Sequence, residues 1–148
     1  MLGDSQRRYE ILVIEDNPAD VCLIREAFQE CGHHCNVTFV STKQEAREIL
    51  NARQFDLVIT DFGADCTESV TFIQAIRSIS RLRPIPIVVL SGSHNPNPAY
   101  EAGANAFIEK SSDVDIFFEK IRNVMGFWTR VAQLPSPPRS HSARSIRD

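Results

Sequence analysis

The sequence predicts a doubly wound α/β domain, and three observations carry that expectation. Five short apolar runs recur, ILVI at 11–14, VTFV at 37–40, LVI at 57–59, IVVL at 87–90 and AFI at 106–108. They are rich in β-branched residues and mostly continuous, the pattern of parallel strands covered on both faces. Segments of helical period separate them, with cap and stop residues at the joins, so strand and helix alternate five times.

The first run is followed by Asn17 and Pro18, a helix cap and a first-turn residue. Val21, Ile24, Phe28 and Cys31 then share one face at steps of three and four. Cys31 reads as the last core-facing residue of that helix, Gly32 as its stop, and His33 and His34 as turn residues. A metal reading of CGHHC at 31–35 is disfavoured, because its two cysteines span a helix end and a strand start with no second ligand pair elsewhere. After the second run, Thr42 and Glu45 form a capping box ahead of Ala46, Ile49 and Leu50. The third helix follows the third run and carries Val70, Ile73, Ile76 and Ile79.

The segment after the fourth run, SHNPNPAYEAGA, holds Pro96 and Pro98, each disfavouring helix in the residue before it. At most about two turns, over 98–102, fit before Gly103. After the fifth run, Val114, Phe117, Ile121, Val124, Trp128 and Val131 repeat at steps of 3, 4, 3, 4 and 3. That seam could run for roughly 20 residues, or about 30 Å, despite Gly126. Two readings stay open. One is a core helix that frays at its end; the other is a seam of Phe117, Ile121, Val124, Phe127, Trp128 and Val131 that meets another protein, such as a second copy in a homodimer through the fourth and fifth helical segments.

At 148 residues the chain fits one domain. A hydrophobic content of 43% and a net charge of −3 give no electrostatic case for nucleic acid. No apolar stretch suits a signal peptide or a membrane span, so a cytoplasmic protein with cysteines kept as thiols is expected. Residues 1–8 read as an extension, 9–134 as the folded unit including the last helix, and 135–148 as a Pro/Ser/Arg-rich tail too polar to pack. No room remains for a DNA-binding domain.

In a parallel sheet every strand ends along one edge, where ligands bind. The residues after the runs therefore enumerate a site: Glu15 and Asp16, then Asp61, then Ser91, then Glu109 and Lys110. Asp61 ends a buried strand with no basic residue near it in sequence, which is costly unless something compensates it. Two carboxylates about 4 Å apart repel by roughly 4 kcal/mol at an effective dielectric near 20, so three together require a cation. Hard oxygen donors suit Mg²⁺, which keeps waters and accepts a phosphate oxygen. Asp61 then serves as nucleophile towards a phosphoryl group, giving an aspartyl phosphate, with Lys110 neutralising the incoming charge and Ser91 donating a hydrogen bond. Singly, each residue has a bland reading as turn former or solvated charge; their common position at the strand ends sets them apart.

These motifs resemble the receiver domains of two-component response regulators over roughly residues 9–126. ILVIEDNPAD carries the acidic pair, DLVITD the phosphoacceptor Asp61, VVLSG the switch hydroxyl Ser91, and AFIEK the lysine Lys110, with Phe107 at the place of the family's mobile aromatic. The resemblance implies a flavodoxin-like sheet of five parallel strands in the order 2-1-3-4-5, while the chain's own prolines and apolar seam predict a shortened fourth helix and a long last one. It implies Mg²⁺, or Mn²⁺ in its place, held by Glu15, Asp16, Asp61 and the backbone carbonyl of Gly63. It implies a phosphoryl donor that is a histidine kinase or a phosphotransfer protein, and a signalling module rather than a metabolic enzyme. DNPADVCLIREAF and FWTRVAQLP look like stand-alone regulators paired with phytochrome-type kinases, which makes such a kinase one expected partner.

The chain departs from the family pattern at several places. Glu15 stands where many members have Asp, Asp65 where proline is frequent, Ser69 where glycine is frequent, and Ser111 where proline usually follows the lysine. The 91–103 segment is short and doubly prolyl. Preserved chemistry with an unusual output surface is expected; the alternative is a receiver-like module that binds partners without phosphorylation. Aspartyl phosphatases need a second Asp where Gly63 stands, and dinucleotide sites need glycines where Glu-Asp-Asn stands.

Overall fold

The structure, a computed structural model, describes residues 8–30, 35–63 and 66–135. Strands β1 (Tyr9–Ile14), β2 (Cys35–Val40), β3 (Leu57–Asp61), β4 (Ile87–Ser91) and β5 (Ala106–Glu109) form one parallel sheet of order β2-β1-β3-β4-β5. Helices α1 (Pro18–Glu30), α2 (Lys43–Ala52), α3 (Cys66–Ser78), α4 (Asn97–Ala102) and α5 (Val114–Gly126) alternate with them, and a π-helical turn (Phe127–Val131) continues α5. This is the expected flavodoxin-like fold. The residues 31–34 read as helix end and turn, Asp65, and nearly all of the 1–8 extension and the 135–148 tail lie outside the described residues.

Strand residues alternate between two cores because successive side chains point to opposite faces. Leu12, Ile14, Val58, Ile87 and Val89 pack under α2, α3 and α4. Ile11, Val13, Leu57, Ile59, Val88 and Leu90 pack under α1 and α5. Both faces are covered, so the central strands read as unbroken apolar runs.

The caps act where the sequence places them. Asn17 Oδ1 accepts the backbone N–H groups of Ala19 and Asp20 at 2.9 and 3.2 Å. Thr42 Oγ1 accepts from Glu45 N at 3.1 Å while the Glu45 carboxylate accepts from Thr42 N at 3.2 Å, completing the capping box. Helix α4 has only six residues and ends at Gly103, whose φ of 119° is open to glycine and strained for other residues.

Two expectations need correction. Helix α3 stops at Ser78, leaving Ile79 40% exposed in the following turn; Phe72, fully buried, fills the core with Ile73 and Ile76. The seam on the last helix is also not one surface. Phe117 and Ile121 are buried in the α1/α5 core, so neither can serve as the interface residue the seam suggested, while Val114 at the first turn is exposed. The inward stripe is Phe117, Ile121 and Met125. Val124 lies half-covered on the flank of that stripe, and the widened turn beyond Gly126 rotates the residues after it, leaving Phe127 and Val131 exposed and Trp128 half-covered.

Candidate functional site

Strands β1 and β3 are neighbours with Ile14 beside Thr60, so the residues just past each strand meet at one rim. Glu15, Asp16 and Asp61 each present a carboxylate oxygen there, all within 4.8 Å of one another. Glu15 is buried, Asp61 nearly so, and Asp16 faces solvent. A cavity of about 500 Å³ is lined by these three with Asn17, Asp20, Gly63, Ser91 and Lys110. Gly63 follows β3 with a φ of 74°. Three hard carboxylates beside a backbone turn fit a divalent cation of the Mg²⁺ or Mn²⁺ kind, since nothing softer than oxygen stands among the donors.

Two ammonium groups share this rim. Lys110 Nζ donates to Glu15 Oε1 at 3.1 Å and to Asp20 Oδ2 at 2.8 Å. Lys43 Nζ donates to Asp61 Oδ1 at 2.9 Å, and both side chains are buried. Asp61 therefore has a basic partner after all, one supplied by α2. Only its place at the rim was legible: the residues after the second run, Ser41-Thr42-Lys43, stand at the same edge as those after the other four. Asp20 was missed because it lies in a helix's first turn rather than at a strand end.

Burial pushes the Glu15 carboxyl above its ordinary 4.5, opposed by the Lys110 charge and hydrogen bond and reinforced by the charge of Asp61. For Lys110, burial acts downwards, but the hydrogen bonds and charges of Asp20 and Glu15 outweigh it and hold the ammonium above its ordinary 10.5.

Ser91 ends β4, buried, and its Oγ accepts from Ser93 N at 3.0 Å. Ser69 Oγ donates to the Phe62 carbonyl at 2.8 Å, with the Asp61 carbonyl at 3.4 Å, pinning the chain just past Asp61 to α3. Phe107 is half-buried on β5, edge-on to Phe62 with ring centroids 6.5 Å apart, and its N–H donates to the Tyr100 hydroxyl at 3.1 Å. Glu109 pairs with His94 and does not line the cavity. Phe127 stacks edge-on against Trp128 at 5.0 Å, near the end of the described chain.

A family model described as the response regulator receiver domain matches residues 11–122. The chain belongs to that family. Response regulator Rcp1 of Synechocystis sp. is 25% identical to this receiver over 146 residues, covering 92% of this chain and 99% of its own. The structure of the phosphorylated cyanobacterial phytochrome response regulator RcpA superposes on the receiver with a TM-score of 0.79 at 31% identity, covering 87% of this chain and 99% of that one. A Mn²⁺-bound form of Rcp1 shares the fold at a TM-score of 0.78 and 24% identity, with 86% and 99% coverage. As a receiver the domain is a signalling module, and its pocket of Glu15, Asp16 and Asp61 is compatible with Mg²⁺ and a phosphoaspartate. Among the described residues no helix is long and apolar enough to cross a membrane.

Proposed function

We propose that residues 9–134 act in the cytoplasm as a receiver that takes a phosphoryl group onto Asp61 from a histidine kinase or phosphotransfer protein. The observation that carries this reading is the convergence of the Glu15, Asp16 and Asp61 carboxylates within 4.8 Å. Glu15, Asp16, Asp61 and the Gly63 carbonyl hold the divalent cation, Mg²⁺ in the first instance. When bound, that ion neutralises the carboxylates and the incoming phosphoryl oxygens. An Asp61 oxygen forms its bond to phosphorus as the P–N bond of the donor phosphohistidine breaks, and the imidazole leaves with the electron pair. Lys110, preset by Glu15 and Asp20, supplies a fixed positive charge beside the transferred group, and the Ser91 hydroxyl donates to one of its oxygens.

Output arises from movement at the same rim. Drawing Ser91 towards the phosphoryl group opens space for Phe107 to turn in from its seat against Phe62, shifting the population of the α4–β5 surface. A phytochrome-type kinase is the expected donor, supported by the likeness to RcpA. The exposed Phe127 and Val131 support a homodimer contact beyond α5. Acetyl phosphate with Mg²⁺ should label wild-type protein at one residue and leave Asp61→Asn unlabelled; labelling that persists in that variant would end this reading.

A second reading, partner binding without phosphorylation, is favoured by one observation, the buried Lys43–Asp61 pair. Amide spectra decide between them. If Mg²⁺ with beryllofluoride leaves Ser91 and Phe107 unmoved, the phosphorylation-independent module is correct.

A further inference from the structure

Lys43 breaks two local rules at once. It is the first residue of α2, where the helix dipole disfavours a cation, and its side chain is only 8% exposed, where burial disfavours one again. Asp61 compensates both, with its Oδ1 2.9 Å from the ammonium. Asp61 is also the one member of the 4.8 Å carboxylate cluster that ends a strand. The capping box fixes the start of α2, so the backbone of Lys43 is anchored and only its side chain is free to swing. Beside it lies a cavity of about 290 Å³ lined by Ser41, Thr42, Lys43, Asp61, Glu68 and Ser69, so open space bordered by a second carboxylate adjoins the Lys43 side chain.

We propose that Lys43 is a built-in rival of the divalent cation for Asp61: its ammonium neutralises the phosphoacceptor in the metal-free protein and withdraws when the ion binds. This rests on the reading of Asp61 as phosphoacceptor and metal ligand. An ammonium and a divalent ion on one carboxylate repel each other, so the ion binds more weakly than the three carboxylates alone would hold it. Lys43 thereby sets the metal concentration at which Asp61 becomes competent for transfer. Lys110 is no rival for Asp61 itself: its ammonium is held by Glu15 and Asp20, and it opposes the ion only at the Glu15 carboxylate.

The full-length chain is titrated with Mg²⁺ by calorimetry as wild type, Lys43→Met and Lys43→Arg. Lys43→Met is expected to bind Mg²⁺ about tenfold tighter or more, whereas Lys43→Arg, which keeps the charge, stays within about threefold of wild type. Unchanged or weaker affinity in Lys43→Met overturns the proposal, as does equal tightening in both variants. A measurement on wild type removes any dependence on how the variants fold: the Lys43 side-chain nitrogen resonance should shift as Mg²⁺ saturates, and a resonance unmoved at saturation rejects the rivalry. The two readings fail separately. Asp61 that is not labelled by acetyl phosphate refutes the phosphoacceptor but leaves the affinity comparison readable, while equal affinities refute the rivalry and leave the labelling intact.

Discussion

At the scale of single residues, the rim concentrates charge that burial opposes, and Glu15 shows the consequence. Its carboxyl is 3% exposed and titrates above 4.5, chiefly because burial disfavours the anion. A raised acid favours the folded state fully below its unfolded pKa and loses that contribution as pH rises through the folded value. Metal-free protein should therefore lose stability in a window that opens at 4.5 and extends upward, and Glu15→Gln should flatten that slope in thermal unfolding followed across pH. Divalent binding runs the other way: the ion needs the anion, so affinity should fall as pH drops through the same window, read by calorimetry at several pH values. Lys110 adds no slope near neutrality, because its raised pKa moves any loss of stability above 10.5.

At the scale of elements, α3 and α4 are held by one side chain. The Arg77 guanidinium donates to the carbonyls of Gly103, Arg83 and Ile85 and to Asn105 Oδ1, tying the end of α3 to the stop of α4 and the approach to β4. Four acceptors without their donor should cost about 2–3 kcal/mol in Arg77→Ala, measured by urea denaturation. Phe72 sits in the same layer, fully buried. Its replacement by Ala should cost about 3–5 kcal/mol, whereas Val70→Ala on the half-covered flank of α3 should cost about 1 kcal/mol or less. The six residues of α4 bury only Ala99 and Ala102, so this element adds little to the core and its surface is free to differ between two states.

At the scale of the whole molecule, binding at the rim should report on folding. An ion that binds the folded chain alone adds about 2.7 kcal/mol at a hundredfold excess over its Kd, or roughly 10 °C in Tm for a domain of this size. Differential scanning calorimetry with Mg²⁺ and then a chelator tests this, and the rise should shrink in Asp61→Asn. The fold and most of the rim were legible because a parallel sheet places every strand end on one edge, so Glu15, Asp16, Asp61, Ser91 and Lys110 follow from counting along the chain. Helical periods carried less. A seam of apolar residues at steps of three and four does not say where a helix turns its face, so Phe117 and Ile121 went to the core while Val131 faced outward. Sequence by itself determined the alternation of strand and helix and the strand-end acids Glu15, Asp16 and Asp61, since apolar runs and the residues that end them are properties of the chain's pattern, while the strand order followed from the resemblance to receivers. Tertiary structure alone decided that Lys43 reaches Asp61 and that Lys110 turns to Glu15 and Asp20, because which oxygen an ammonium meets depends on distances between elements far apart in the chain.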